Sequence, residues 1–317
     1  MNTNKTTSAP EIRATIADLR EKYVKLERDH GFRAQLDRLL ACDANGAMLP
    51  SRVRFTSGGE ARGLVVTDGA GGGKTSLVQQ TLSNHPALQC TDGGAMPCIS
   101  ITVPSPATMK SVGAEILIAT GYTDYVGNAT AHAIWSKVSR RFRMFGTVVL
   151  WIDEAHDVFP SRAKSEAPAI LKTLKSLMQG DGAVIVILSG IDSLWHSISC
   201  DDQVRRRFRP FALPEMATAA DCHLLWDVLC GYCKTADISP PERADLPERL
   251  VHASRRRFGR CIEQIIDAIE VALMRGDKTL EISHFADVFF AQEGCTVSEN
   301  VFVVPRWSSI SLTSLAA

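Results

Sequence analysis

One short segment, LVVTDGAGGGKTSLVQQ (64–80), constrains the fold more than any other part of the chain. An apolar run typical of a buried strand enters a glycine-rich loop, and the loop ends at Lys74-Thr75, where a helix is expected to begin. Glycines let backbone N–H groups turn inward around an anion, and the first turn of a helix adds partial positive charge. The segment therefore predicts a strand, a phosphate-binding loop and a helix in direct succession.

The loop nearly satisfies the pattern G-x-x-x-x-G-K-[ST], which is typical of proteins that bind ATP. Lys74 is expected to reach the β- and γ-phosphates, and Thr75 is expected to hold Mg²⁺. Asp68 stands where the pattern has its first glycine, which brings a carboxylate close to phosphate unless that side chain caps the turn. The residues assigned to ATP in this segment are Gly69, Ala70, Gly71, Gly72, Gly73, Lys74, Thr75 and Ser76.

Short apolar runs alternate with amphipathic segments, such as 130–145 and 166–179, from residue 63 onward. The runs are GLVVT (63–67), CISITV (98–103), TVVLWI (147–152), AVIVIL (183–188) and PFAL (210–213). The first four are apolar nearly throughout, as strands buried on both faces are, and the alternation predicts a parallel sheet between helices. Only helical patterns follow residue 215, so the fold class is α/β, a P-loop core with a C-terminal all-helical lid domain.

The expected domains are an N-terminal helical arm (1–62), a P-loop ATPase αβα core (63–215), a helical lid (216–293) and a C-terminal tail (294–317). The arm begins with an apolar stripe at spacings of four and three, which predicts one amphipathic helix over 11–29. The stripe consists of Ile12, Ile16, Leu19, Tyr23 and Leu26. Gly, Pro and Ser punctuation indicates a loop over 43–62. The tail is interpreted as a segment that orders only on a partner.

Two adjacent acids, Asp153 and Glu154, end the apolar run VVLWI in the sequence VVLWIDEAH. In a P-loop ATPase an acid in this place binds Mg²⁺ and the next one polarises the attacking water. The competing interpretation is that both acids only cap the following helix. DEAH is also a helicase motif, but helicases of that kind need a second motor domain, and the remaining chain is helical.

Ser189 ends the fourth apolar run, in VILSGIDSL. An ATPase with this order of strands uses a polar side chain here to sense the γ-phosphate, whereas a serine that only caps a helix is the simpler interpretation.

The totals limit what else the chain can be. Lys+Arg and Asp+Glu both number 35 among 317 residues, so a site for a polyanion must be a local patch. The nine cysteines have no framework spacing, the N-terminus has no apolar signal region, and the apolar runs are too short to span a bilayer. We therefore expect a cytoplasmic protein without a membrane partner. Cys230-Gly-Tyr-Cys233 lacks the four ligands of a zinc site and is interpreted as packing.

Taken together, these residues resemble an AAA+ ATPase and, more narrowly, the TniB group of transposition ATPases, relatives of TnsC and MuB. The resemblance covers roughly 11–292 and includes RGLVVTDGAGGGKTSLV, the DEAH sequence, DDQVRRRFRPFALP and FGRCIEQIIDAIEVALMRGDKTLEISHF. It implies a homo-oligomer, a ring or a helical filament, that binds ATP and Mg²⁺ and assembles on double-stranded DNA. The implied partners are a DDE-type transposase and a TniQ-like adaptor, and hydrolysis is expected to disassemble the filament.

The resemblance also implies roles for two arginine-rich stretches, VRRRFRP (204–210) and SRRRFGR (254–260). Arg206 or Arg207 is the candidate arginine finger, which faces the ATP of a neighbouring subunit, and Phe208 is expected to anchor the turn. Arg260, with Arg257 as the alternative, is the candidate lid sensor. The competing interpretation is a nucleic-acid patch.

Lys110, after the second strand, and Arg140, within KVSRRFR (137–143), are the candidate DNA contacts; a solvated helix face is the alternative for 137–143. Two other functions stay open: another AAA+ loader or secretion-type ATPase, and a nucleotide-dependent DNA scaffold with negligible hydrolysis.

Overall fold

The computed structural model of this 317-residue chain describes residues 8–90, 94–124, 127–158 and 167–312. Its strands are β1 (Leu40–Cys42), β2 (Met48–Arg52), β3 (Gly63–Thr67), β4 (Cys98–Thr102), β5 (Val149–Asp153), β6 (Ile185–Gly190) and β7 (Phe208–Ala212). Its α-helices are α1 (Ala9–Glu21), α2 (Glu27–Asp37), α3 (Lys74–Ser83), α4 (Met109–Ala119), α5 (Ala131–Phe145), α6 (Ala167–Leu177), α7 (Ser193–Ser199), α8 (Asp202–Arg205), α9 (Ala219–Thr235), α10 (Leu246–Ala253), α11 (Phe258–Arg275) and α12 (Ile282–Glu293).

The chain divides into two compact units, which are described separately. Within the described residues, the core unit comprises 26–70 and 74–213, and the lid unit comprises 8–25, 71–73 and 214–312.

The core unit is built on a five-stranded sheet in the order β4-β5-β6-β3-β7, with every neighbouring pair parallel. β3, which leads into the glycine-rich loop, is central and pairs with β6 on one side and β7 on the other. Parallel strands bring their carboxyl ends to one edge of a sheet, and ligand sites of open α/β folds lie at that edge. The residues that follow β3, β5 and β6 are therefore neighbours.

Helices cover both faces of this sheet, because successive strand residues point to opposite sides. One face packs Val65, Leu150, Ile152, Val186 and Leu188 against α4, α5, α6 and α7. The other face packs Leu64, Val66, Val149, Trp151 and Ile187 against α2, α3 and β1. The expected parallel sheet between helices is confirmed. β3, β5 and β6 are buried on both faces as expected, whereas β4, at the edge of the sheet, exposes Ser100 and Thr102.

The expected arm over 1–62 is divided between the two units. α1 belongs to the lid unit, whereas α2 and an antiparallel β1–β2 hairpin belong to the core unit. The single helix expected over 11–29 is broken after Glu21. Leu26 is extended, and its N–H donates to the Asp29 Oδ2 at 2.8 Å, which starts α2 as a separate helix. The segment expected to be a loop over 43–62 contains β2. The residues of β2 are exposed or half-buried, so the strand has no apolar pattern in the sequence.

The lid unit contains α1, α9, α10, α11 and α12, which confirms an all-helical C-terminal region. α1 contacts α9 and α11 through the buried side chains of Ile12, Ile16 and Leu19. At the surface of this contact, Arg20 lies 3.4 Å from Glu270.

The C-terminal segment packs on the lid unit, contrary to the expectation that it orders only on a partner. Phe302 is buried against the rings of Phe285 and Phe289, at centroid distances of 5.6 and 5.8 Å. The buried Arg249 guanidinium donates to the carbonyl oxygens of Val301 and Val304. These contacts order the segment as far as residue 312, and its last five residues lie outside the described part of the chain.

Candidate functional site

The loop between β3 and α3 turns through left-handed glycines. Gly71 and Gly73 have φ angles of 77° and 89°, a region that side-chain-bearing residues rarely adopt. The Asp68 Oδ1 accepts a hydrogen bond of 2.7 Å from the Gly69 N–H, and Asp68 is buried. The carboxylate that replaces the first glycine of the pattern therefore holds the turn.

Lys74, the first residue of α3, is folded back onto this loop. Its Nζ donates to the backbone oxygens of Asp68 and Gly69, both at 3.0 Å, and the residue is 6% exposed. Burial lowers the pKa of the Lys74 ammonium, while the nearby carboxylates, foremost Glu154 and then Asp153, act in the opposite direction. The two carbonyl oxygens are neutral acceptors, and an anionic ligand forms stronger, charge-assisted hydrogen bonds with an ammonium.

Two oxygen ligands of the kind that Mg²⁺ prefers meet beside Lys74. The Thr75 Oγ1 donates to the Asp153 Oδ2 at 2.7 Å, across 78 residues of sequence. The other carboxylate oxygen of Asp153 accepts from the Ser189 hydroxyl at 2.5 Å and from the Glu154 N–H at 3.0 Å. Mg²⁺ is commonly bound by one or two protein oxygens, and waters and phosphate oxygens fill its remaining coordination positions. The residues present therefore fit a magnesium–nucleotide group.

Glu154 stands directly after β5 in a strained backbone conformation, with a φ of 52°. Such strain in a non-glycine residue concentrates at functional sites. Its side chain is 41% exposed, and its Oε2 lies 3.2 Å from the Nδ1 of His156. An exposed carboxylate next to the Thr75–Asp153 pair is suited to accept a proton from water.

Ser189, the expected phosphate sensor, is fully buried at the end of β6. It accepts a hydrogen bond of 2.8 Å from the Trp151 Nε1 and donates to Asp153. Sequence reasoning missed Trp151, although a signal existed: Trp151 and Asp153 are two apart in β5 and therefore point to the same face of the sheet.

The two finger candidates differ sharply in exposure. Arg207 is 2% exposed and forms an ion pair with Glu60, and its Nη1 donates to the Lys175 carbonyl oxygen. Arg206 has a side chain that is 65% exposed and lies 3.4 Å from the same glutamate. The burial of Arg207 leaves Arg206 as the candidate that can reach another subunit. Phe208 is buried in the core, as expected of an anchor.

In the lid unit, Arg260 contacts the loop glycines. Its backbone N–H donates to the Gly71 carbonyl oxygen at 3.0 Å, and a Cβ added to Gly71 would lie only 2.6 Å from the Arg260 Cγ. Gly259 is required here, because a Cβ at that position would lie 2.4 Å from the Gly71 oxygen. Arg257, the alternative sensor, pairs with Glu215 at 3.6 Å, so Arg260 is the better placed of the two beside the loop.

The candidate DNA contacts lie on two helices that pack together. Lys110 is exposed in the first turn of α4, and Arg140 is exposed on α5. Arg141, by contrast, donates to the Thr120 carbonyl and hydroxyl oxygens, which fixes it within the core unit.

Cys230 and Cys233 lie on α9, and burial raises the pKa of the Cys233 thiol to about 12, so it stays protonated. Across the described ranges, no group of three or more His, Cys, Asp or Glu is arranged to hold a metal ion. Cys233 is buried and Cys230 is partly buried, and the interpretation of this pair as packing stays a prediction. No described helix is long and apolar enough to cross a membrane.

Solved structures share this fold. Pyrobaculum aerophilum Cdc6p has a TM-score of 0.61 and 15% identity, with 89% of this chain and 75% of that chain covered. The Aeropyrum pernix ORC1 protein, solved in complex with DNA, has a TM-score of 0.59 and 15% identity, with coverages of 96% and 73%. The Aeropyrum pernix ORC2 protein, solved as ADPNP-ADP complexes, has a TM-score of 0.58 and 16% identity, with coverages of 89% and 75%.

The sheet order, the glycine-rich loop and these similarities define the class, an α/β P-loop protein of the AAA+ fold with a helical C-terminal region. A family model described as "Bacterial TniB protein" matches residues 55–218, which is more than half of the chain. The chain belongs to this family, and the resemblance found in the sequence is confirmed. A comparison with curated proteins finds no match.

Proposed function

We propose that this chain is an ATPase that regulates DNA transposition: it assembles on double-stranded target DNA and recruits or activates a DDE-type transposase. The observation that carries the ATPase part is the convergence of Lys74, Thr75, Asp153 and Glu154 at one edge of the sheet. Membership of the bacterial TniB family supports the link to transposition. The similar ORC2 and ORC1 structures, solved with ADPNP-ADP and with DNA, support nucleotide and DNA as ligands.

Each residue has a distinct role in the proposed reaction. Lys74 would exchange its two backbone carbonyls for phosphate oxygens, and the N–H groups of 70–76 would bind the same phosphates. Thr75 and Asp153 would hold Mg²⁺, which supplies charge that stabilises the phosphoryl group. Glu154 would orient a water and accept its proton. Arg206 would act on the ATP of a neighbouring subunit, and Arg260 on that of its own.

DNA binding would rest on repeated local contacts, because the chain has a formal net charge of 0. Lys110 and Arg140 are the proposed phosphate contacts on α4 and α5. A filament or ring multiplies these weak contacts, and each one releases counterions, so binding would be sensitive to salt and largely independent of sequence.

A TniQ-like adaptor is a further proposed partner. All nine cysteines are unpaired, which is in keeping with a cytoplasmic location.

The test is a pair of variants with opposite consequences for binding. Lys74→Ala removes the phosphate-binding ammonium and should abolish ATP binding, measured by calorimetry or with a fluorescent nucleotide. Glu154→Gln keeps the size of the side chain and should retain binding, while turnover falls at least about a hundredfold. Its DNA filaments should persist longer than those of the wild type. Unchanged nucleotide affinity in Lys74→Ala would contradict the whole proposal.

Two alternatives make different predictions in the same assays. Another AAA+ loader or secretion-type ATPase would hydrolyse ATP but would form no ATP-dependent filament on double-stranded DNA in negative-stain micrographs. A nucleotide-dependent scaffold would form filaments with negligible turnover, and Glu154→Gln would then behave like the wild type.

A further inference from the structure

A chain of three buried side chains ends on the carboxylate of Asp153. The Trp151 Nε1 donates to the Ser189 Oγ at 2.8 Å, and the Ser189 hydroxyl donates to the Asp153 Oδ1 at 2.5 Å. Ser189 is fully buried, and Trp151 and Asp153 are each 5% exposed. All three point to the face of the sheet that α3 covers, because they occupy alternate positions in β5 and β6.

The direction of both hydrogen bonds follows from the chemistry of the donors. An indole nitrogen can only donate, so Trp151 occupies a lone pair of the serine oxygen. Serine has one proton, and that proton lies on the hydrogen bond from Ser189 to the Asp153 carboxylate. A hydroxyl held in this way cannot donate to a phosphate oxygen at the same time.

We propose that Trp151 is a positioning residue for Asp153, and that it acts through Ser189. This inference rests on the proposed function, since it concerns how the carboxylate is oriented for Mg²⁺. The relay leaves the Asp153 Oδ2 facing Thr75, which is the oxygen suited to the metal. Ser189 thus belongs to the support of the metal ligand, a different role from the phosphate sensor expected from its place in the sequence.

Supports of this kind change metal affinity measurably. Replacing the hydrogen-bond partners of a ligating residue commonly weakens metal binding by about 10- to 100-fold. A role of Trp151 in packing alone would not affect metal binding in this way, because packing depends on the volume of the ring and not on its N–H donor. Trp151→Phe keeps most of the ring volume and removes only the donor, which separates the two contributions.

The test measures the Mg²⁺ concentration needed for half-maximal binding of a fluorescent ADP analogue, beside the affinity for the same analogue in EDTA. Trp151→Phe and Ser189→Ala should each raise the Mg²⁺ requirement about tenfold and leave the affinity in EDTA unchanged. The double variant should equal the more severe single one, because both remove the same relay. Trp135→Phe is the matched control: Trp135 is also buried and donates to a carbonyl oxygen, that of Met109, but it lies on the opposite face of the sheet.

An unchanged Mg²⁺ requirement in Ser189→Ala would overturn the inference, and so would strictly additive effects in the double variant. Loss of discrimination between ATP and ADP in Ser189→Ala, with a normal Mg²⁺ requirement, would make Ser189 a phosphate sensor. If Trp151→Phe does not fold, Ser189→Ala against Trp135→Phe decides the matter. A wild-type protein that binds nucleotide without any Mg²⁺ dependence would overturn both the relay and the proposed reaction, whereas a normal wild type with unaffected variants would overturn the relay alone.

Discussion

The sequence Arg-Arg-Arg-Phe occurs twice, at 205–208 in the core unit and at 255–258 in the lid unit. In both places the phenylalanine is buried and is the first residue of the next element, β7 for Phe208 and α11 for Phe258. The phenylalanine therefore has the same role in both stretches: it anchors the start of a new element in an apolar core.

The arginines of the two stretches behave differently. In the core stretch, Arg206 has an ordinary right-handed helical backbone with φ at −60°, and Arg207 is buried against Glu60. In the lid stretch, Arg255 and Arg256 are both left-handed, with φ at 51° and 60°. Their backbone N–H groups donate to carbonyl oxygens near the end of α10 and so terminate that helix.

Each stretch is paired with acids from elsewhere in its own unit. Glu60 is 14% exposed and pairs with both the buried Arg207 and the exposed Arg206. In the lid, Glu293 binds Arg255 through two hydrogen bonds of 2.8 Å, and the half-exposed Glu215 lies near Arg257. The two stretches differ in the arginines themselves, because Glu60 and Glu293 are each 14% exposed whereas Arg207 is 2% and Arg255 is 27% exposed.

The largest expected effect separates Arg206 from its neighbours. Arg206→Ala should lower ATP turnover by about a thousandfold or more with nucleotide binding retained, because an arginine finger acts on the transition state. Arg205→Ala, an adjacent exposed arginine, is the control and should stay within about twofold. Turnover of Arg206→Ala should stay slow at every protein concentration, and mixing with Lys74→Ala should restore part of it. Normal turnover with weaker DNA binding would make this stretch a nucleic-acid contact instead.

A smaller effect on stability should separate the two ion pairs. Glu60→Ala leaves the guanidinium of Arg207 buried without its carboxylate and should lower the free energy of unfolding by about 3 kcal/mol. Glu293→Ala removes a partly exposed pair and should cost about 1 to 2 kcal/mol. Urea unfolding followed by circular dichroism measures both, with Glu215→Ala, expected at about 0.5 kcal/mol or less, as the surface control. Equal losses for Glu60→Ala and Glu293→Ala would remove the distinction between the stretches.

The smallest effect should differ in sign between the stretches. Arg256→Gly relieves a left-handed backbone and should raise the free energy of unfolding by about 0.5 to 1 kcal/mol, whereas Arg206→Gly, in a right-handed position, should lower it by a similar amount. Arg256→Ala keeps the strained backbone and removes the charge, so it should change stability by less than about 0.5 kcal/mol. A stabilising Arg256→Ala would attribute the gain to charge and not to the backbone.

The sequence predicted the parts of the fold that depend on neighbours in the chain. The runs that became β3, β5 and β6 are apolar because those strands are buried at every position, whereas β4 and β7 are exposed at alternate positions. The loop before Lys74 formed because glycine adopts the left-handed φ angles at Gly71 and Gly73 without steric cost. The proximity of Thr75 to Asp153 could also be predicted from the sequence, since parallel strands bring their carboxyl ends to one edge of the sheet.

The wrong predictions share a physical cause. A local pattern is ambiguous when the structure of its segment depends on contacts with residues distant in the sequence. The stripe over 11–29 continued past Glu21, but the Asp29 carboxylate caps a second helix at Leu26. The polar strand β2 has no pattern of its own and exists because β1 pairs with it. The tail carries only two short apolar patches, and Phe302 is ordered by Phe285 and Phe289 of α12.

By itself the sequence determined the strand–loop–helix unit and the succession of sheet-forming runs along the chain, because these follow from composition and spacing, and its motifs carried the resemblance to the family. Only the tertiary structure decided which polar groups meet. Glu60 and Arg207 are 147 residues apart, and Trp151 and Ser189 are 38 apart. Whether Arg206 or Arg207 reaches solvent, and whether Ser189 faces a phosphate or a carboxylate, depends on such partners. A buried charge or hydroxyl adopts the position in which its hydrogen bonds are satisfied, and those partners come from parts of the chain that the local pattern does not contain.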